Sequence, residues 1–105
     1  MQPAAIFEQM TQRVADKPGL VDEVSAIFQF DITGDEGGSW VVDLKNPPGS
    51  VTSGTTEEAD CVITVGHQDF AGIMSGDVDP QMAFMMGRVK VAGNFMLATK
   101  LRSLM

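Results

Sequence analysis

Five of the eight methionines and three of the six phenylalanines of this 105-residue chain fall between Asp69 and Leu101, on short helical stretches with hardly a reactive group among them. Met82, Phe84, Met85 and Met86 precede a brief strand pattern, Val89-Lys90-Val91. Gly93-Asn94 then opens a second apolar helix carrying Phe95, Met96, Leu97, Leu101 and Leu104. Unbranched thioethers adjust to irregular partners, so this cluster suits a plastic core or a tolerant binding surface. Which of the two it serves depends on what the rest of the chain builds.

Upstream, Ala5, Ile6, Met10 and Val14 recur at helical spacing until Lys17-Pro18-Gly19, which predicts a helix over 4–16. Leu20, Val21 and Val24 form a second, shorter apolar stripe. From Ala26 the period changes to two: Phe30 and Ile32 alternate with Gln29, Asp31 and Thr33, as in a half-buried strand. Gly34-Asp35-Glu36-Gly37-Gly38 is a turn by composition, so Trp40-Val41-Val42-Asp43-Leu44 is expected to return antiparallel. Asn46-Pro47-Pro48-Gly49-Ser50 makes another turn, and a third strand around 50–54 continues the meander. Cys61-Val62-Ile63-Thr64-Val65 reads as a strand with Cys61, Ile63 and Val65 facing inward. Gly66 to Asp69 introduces a helix holding Phe70, Ile73 and Met74, ended by Ser75-Gly76. Asp79 is a suitable cap for the next helix, with Pro80 at its first position, and Gly87 stops it. A strand over 88–92 follows, and Asn94 caps the final helix, where Leu97, Leu101, Leu104 and Met105 share a face.

A length of 105 residues with 44% hydrophobic content predicts one domain, residues 1–105. No run is long enough to span a bilayer, and the N-terminus lacks the basic and apolar regions of a signal peptide. A soluble, intracellular, most simply cytoplasmic protein is therefore expected. The single cysteine, Cys61, excludes an internal disulfide framework, and one Cys with one His builds no metal cage without several carboxylates. The glycines match neither dinucleotide nor phosphate-loop spacing, and no cofactor is expected. A net charge of −7 argues against nucleic acid.

Catalysis needs a nucleophile or base held by a partner. Cys61 sits within an apolar strand with no cation beside it, where a thiol acts as a small hydrophobe. His67 fits helix entry better than general-base work, and Asp77 and Asp79 are accounted for by capping. The chain has no tyrosine to serve as an oxyanion donor.

Several separate strings in register carry a resemblance. Asp60-Cys61-Val62-Ile63-Thr64-Val65, Asp69-Phe70, Met74-Ser75-Gly76, Asp79-Pro80-Gln81-Met82-Ala83-Phe84, Gly87 through Asn94 and Ala98-Thr99-Lys100-Leu101 resemble the sterol carrier protein type 2 family. Ile27-Phe28-Gln29-Phe30, Trp40 through Asn46 and Gly49-Ser50-Val51 resemble the same family in the same order. The resemblance implies an α+β fold: a five-stranded, mainly antiparallel sheet covered on one face by helices, enclosing an elongated apolar cavity. It implies binding and transfer of fatty acids, fatty acyl-CoA, sterols or phospholipids, without turnover. One departure is the end, Ser103-Leu104-Met105, which does not match the Ser-Lys-Leu-like address of peroxisomal members.

The expected lining is Phe70, Met74, Met82, Phe84, Met85, Phe95, Met96, Leu101 and Met105, with Trp40 and Ile63 supplied by the sheet. Of Met85 and Met86, only one is expected to face inward. Arg88 is the candidate for a carboxylate or phosphate head. At about 0.8 kcal/mol per methylene, a fatty chain offers on the order of 10 kcal/mol before ordering costs, enough for micromolar binding without one specific hydrogen bond. The terminal helix is the natural lid, tied only through Gly93-Asn94. All fourteen acids lie at or before Asp79, whereas Arg88, Lys90, Lys100 and Arg102 follow it; either Lys100 and Arg102 complement the dipole at the end of the final helix, or the methionine-rich end approaches an anionic membrane surface or a lipid head group. Two alternatives are an accessory module that presents lipid to a partner enzyme, and a small acyl hydrolase or isomerase using Cys61 or His67.

Overall fold

A computed structural model describes residues 3–17, 19–35 and 37–98. Two helices open the chain, α1 (Pro3–Asp16) and α2 (Gly19–Val24), followed by β1 (Ile27–Thr33), β2 (Gly38–Asp43), β3 (Ser50–Ser53) and β4 (Cys61–Gly66). The helices α3 (His67–Ser75) and α4 (Pro80–Met85), the strand β5 (Val89–Gly93) and the short helix α5 (Phe95–Ala98) complete it. The rest of the expected final helix, including Leu101, Leu104 and Met105, lies outside the described residues.

The strands form one sheet in the order β3-β2-β1-β4-β5. Three of its pairings are antiparallel, and the central one, β1 with β4, is parallel. The hairpin expected from the glycine-rich turn is present, with Phe30 opposite Trp40 and Phe28 opposite Val42. In the same rows, Phe28 meets Cys61, Phe30 meets Ile63 and Ile32 meets Val65, and β5 adds Val91 and Val89 beside Ile63 and Val65. Because side chains alternate along a strand, this register places all of these apolar groups on one face.

All helical members of the core cluster pack on that face. Ile6, Phe7, Met10 and Val14 of α1 are buried, as are Leu20 and Val24 of α2 and Phe70 of α3. Burying each such side chain stabilises the fold by about 1.5–3 kcal/mol, which is why α1 holds its place although Glu8, Gln9, Gln12 and Arg13 on its other side face solvent. The opposite face of the sheet is mixed, with Ile27, Val41 and Val62 beside a polar network: the Gln29 amide donates to Asp31 at 2.9 Å and accepts from Thr56 N at 2.9 Å, and Ser39 also donates to Asp31. Among the described residues no buried side-chain polar atom lacks a partner.

The punctuation is local chemistry. Asp79 Oδ1 accepts from Gln81 N at 2.9 Å ahead of Pro80, Gly76 closes α3 at φ +90°, and Asn94 Oδ1 accepts from Met96 N at 3.1 Å. Gly93 takes φ +87°, and a methyl there would lie 2.6 Å from Asp60 O. This close approach lets Asp60 tie the sheet to α5: its carbonyl accepts from Asn94 N at 2.9 Å and its carboxylate from Ile27 N at 3.0 Å.

Candidate functional site

The apolar face of the sheet is not equally packed along its length. Phe28, Val42, Leu44 and Cys61 are wholly buried beside α2 and the start of β1. Nearer the middle, Phe7 of α1 stacks on Trp40 at 4.6 Å and on Phe70 at 5.1 Å, and meets Phe30 edge-on at 5.3 Å. Beyond these rings the apolar side chains are only partly buried: Ala71, Ile73 and Met74 of α3, Val89 and Val91 of β5, and Leu97 of α5. Full burial thus gives way to half burial at both edges of the sheet, at Trp40 and Val51 toward β3 and, over more residues, at β5 under the short helices.

The expected lining residues distribute along this gradient. Ile63 and Phe70 belong to the buried core, and Trp40 and Met74 sit half-buried at its margin. Met82, Phe84, Met85 and Met96 are exposed, Met85 to 77%. The expectation that one of Met85 and Met86 turns inward is not met, because Met86 is exposed as well. The inward position of α4 is taken by Ala83, at 2% exposure. The side chain of Phe95, together with Leu101 and Met105, lies outside the described residues. Phe7 was not singled out by sequence reasoning, although its spacing to Met10 and Val14, at i+3 and i+7, places it on the same helical face.

A crevice of about 140 Å³ opens between Ile6, Gln9, Met10 and Arg13 of α1 and Ala71, Met74 and Ser75 of α3. Small-molecule sites usually measure roughly 300–1,000 Å³, so this crevice is smaller than a site that encloses a whole ligand. Its floor is apolar and its rim carries Arg13 and Gln9. Arg88 stands at the other side of α3, with Nη1 3.6 Å from Asp69 Oδ1 in a pair exposed enough to contribute little stability.

The residues considered for catalysis do not meet. Cys61 and His67 bracket the extended β4, a separation of about 20 Å at ~3.3 Å per residue. Burial, reinforced by the charge of Asp60, pushes the Cys61 thiol up, the opposite of what a thiolate nucleophile needs. The His67 ring instead fills the space over Gly34, which is at φ +108°. No group of three His, Cys, Asp or Glu able to hold a metal ion occurs among the described residues.

Comparison with known proteins is in keeping with this architecture. Residues 7–105 match the SCP-2 sterol transfer family. "Sterol carrier protein 2" of Rattus norvegicus is 39% identical over 103 residues, covering 94% of this chain and 19% of its own length. "Hydroxysteroid dehydrogenase-like protein 2" of the same organism is 43% identical over 94 residues, covering 85% of this chain and 18% of its own. The chain therefore spans about a fifth of the length of these curated relatives. Among solved structures, the solution structure of palmitated SCP2L2 from Aedes aegypti superposes with a TM-score of 0.78 at 28% identity, covering 96% of this chain and 91% of that one.

Proposed function

Since the chain belongs to the SCP-2 sterol transfer family, we propose that it is a lipid carrier, taking a fatty acid, fatty acyl-CoA or sterol-like molecule between its helical layer and its sheet and releasing it unchanged. The observation that supports this most directly is the burial gradient. A densely packed aromatic centre is flanked by half-buried Ile73, Met74, Val89, Val91 and Leu97, apolar groups that gain from a further apolar partner. In this reading Trp40, Ile63, Phe70 and Met74 form the inner wall. Met82, Phe84, Met85 and Met96 form the mouth. Arg88 meets an anionic head. An adaptable, mainly methionine lining gives broad tolerance, because a single methylene changes affinity only slightly. The palmitated relative supports a single alkyl chain as the first ligand to test.

The proposal places the protein inside the cell, which suits its single buried thiol. No helix among the described residues is long and apolar enough to cross a membrane. Native mass spectrometry of gently purified protein tests the reading: a co-purified lipid mass, exchangeable for added palmitate, is expected. Protein that carries no lipid and does not bind a fluorescent fatty acid at micromolar concentration refutes it.

One observation favours a second reading, in which the domain presents lipid to an enzyme. The relative named as hydroxysteroid dehydrogenase-like is matched over only 18% of its length, so there the equivalent stretch accompanies a much larger remainder. Stimulation of a lipid-metabolising enzyme by this chain, with no transfer between vesicles, would select that alternative.

A further inference from the structure

The large apolar groups that this fold leaves in solvent are mostly thioethers. Among the described residues they are Met82, Met85, Met86, Met96 and Phe84, and none is Leu, Ile or Val. The four methionines keep between 59% and 77% of their surface exposed, whereas Met10, in the core, keeps 3%. Leucine fills nearly the same volume as methionine and would supply similar apolar surface. What methionine adds at an exposed position is a sulfur that a peroxide can reach and oxidise reversibly.

We propose that Met82, Met85, Met86 and Met96 form a reversible oxidation site, at which a hydroperoxide converts thioethers to sulfoxides and so weakens lipid binding. The inference rests on the carrier reading, in which Met82, Met85 and Met96 belong to the mouth, and it adds a chemistry that regulates that mouth. The thioether sulfur attacks the terminal peroxide oxygen, and the O–O bond breaks as the S–O bond forms. The proton passes from the transferred oxygen to the departing one, which leaves as an alcohol, or as water when the oxidant is hydrogen peroxide. Sulfur gives up two electrons and the peroxide takes them.

Three features suit the site to this reaction. First, the chain's one thiol does not compete for the oxidant. Cys61 is buried, and burial with the charge of Asp60 pushes its thiol up, away from the thiolate form that reacts. Second, oxidation here spares the fold. Ala83 is the buried residue of α4, the Asp79 carboxylate caps the helix, and the amides of Met86, Gly87 and Arg88 donate to the carbonyls of Met82, Phe84 and Ala83. None of these contacts uses a thioether. A sulfoxide at Met10 would instead place an unpaired polar oxygen in the core, and burial shields that residue.

Third, the sulfurs act on one small surface. Met82, Met85 and Met86 stand at i, i+3 and i+4 through α4 and its C-terminal cap, so their side chains are neighbours. Several sulfoxides there replace an apolar surface by a set of strong hydrogen-bond acceptors that hold water. An alkyl chain lying across it must strip that water without returning a hydrogen bond, which opposes binding.

Graded hydrogen peroxide followed by peptide mass mapping tests the proposal. Met82, Met85, Met86 and Met96 should each gain one oxygen atom before Met10 does, with the circular dichroism unchanged. Binding of a fluorescent fatty acid by the same samples should weaken about tenfold. It should recover after treatment with the two methionine sulfoxide reductases, which between them reduce both sulfoxide epimers. A variant carrying Met82→Leu, Met85→Leu, Met86→Leu and Met96→Leu should show an affinity that peroxide does not change, whatever its starting value. The reductase recovery reads the same point in the unsubstituted chain, independently of how that variant folds. Unchanged binding once all four methionines are oxidised overturns the proposal. So does a loss of fold on oxidation, a loss of binding that the reductases do not reverse, or Met10 oxidised as fast as Met85. If the untreated protein binds no fatty acid, the carrier reading fails and this inference falls with it, whereas binding that survives oxidation removes the inference alone.

Discussion

At the scale of single residues, Asp60 and Gly93 carry more than their size suggests. Asp60 Oδ2 is the partner of the Ile27 amide at the buried start of β1, and its carbonyl holds the amide that begins α5. Asp60→Ala should cost about 1–3 kcal/mol by leaving that amide unpaired, and Asp60→Asn, which keeps an acceptor, should cost less. Urea unfolding of the two variants checks the order. Gly93→Ala meets both a left-handed φ and the Asp60 carbonyl, so a loss of about 2–3 kcal/mol is expected in the same measurement. Asp43 makes stability depend on acid. Burial raises the Asp43 pKa, but hydrogen bonds from the Asn46 side chain and the Lys45 and Asn46 amides, with the Lys45 charge, outweigh it and leave the carboxyl below its ordinary value. A depressed carboxyl contributes stability above its unfolded pKa and loses it as pH falls through the folded one. Asp43→Ala should therefore be destabilised by about 1 kcal/mol near neutrality, with the gap closing below roughly pH 4, as thermal melts across that range would show.

At the scale of elements, sequence and structure agree wherever the determining chemistry is local. Asp79-Pro80 starts α4, Gly76 ends α3 and Asn94 caps α5, because a side-chain oxygen or a left-handed glycine acts within two or three residues of itself. The β1–β2 hairpin is equally legible, since a glycine-rich turn between alternating segments leaves few other pairings. What sequence could not supply is long-range. The parallel pairing of β1 with β4 depends on where a long connection returns, and nothing in Cys61 to Val65 names its neighbour. Phe7 takes its importance from Trp40 and Phe70, which lie far along the chain. The outward turn of Met85 and Met86 cannot be told from composition, because methionine suits interior and interface alike. The lid prediction belongs at this scale. A chain truncated before Lys100 keeps every described strand and its pairing partners, so it should retain the circular dichroism of the sheet while losing fluorescent fatty-acid binding. Retained affinity in that truncation would show that the terminal helix is not the lid.

At the scale of the whole molecule, the sheet carries helices on one face, and those helices close over a packed centre but only half cover its β5 flank. Such a body is stabilised unevenly, and a ligand that completes the deficient side adds to folding stability as well as occupying a site. Linkage sets the size of the effect. Free fatty acid at a hundred times its dissociation constant stabilises the folded state by about 2.7 kcal/mol if the unfolded chain does not bind it. For a domain near this length, each kcal/mol moves the melting temperature by about 4–8 °C, so saturating palmitate should raise it by on the order of 10 °C. Phe7→Ala offers the contrasting case. Removing the ring at the centre of the aromatic stack should cost about 3–5 kcal/mol in the unliganded protein, because a void opens where packing is complete. If the half-covered flank and the packed centre are separate regions, palmitate should still raise the melting temperature of Phe7→Ala by a similar increment. If the increment collapses in that variant, the alkyl chain lies against Phe7 itself, which then joins Trp40 and Phe70 in the inner wall.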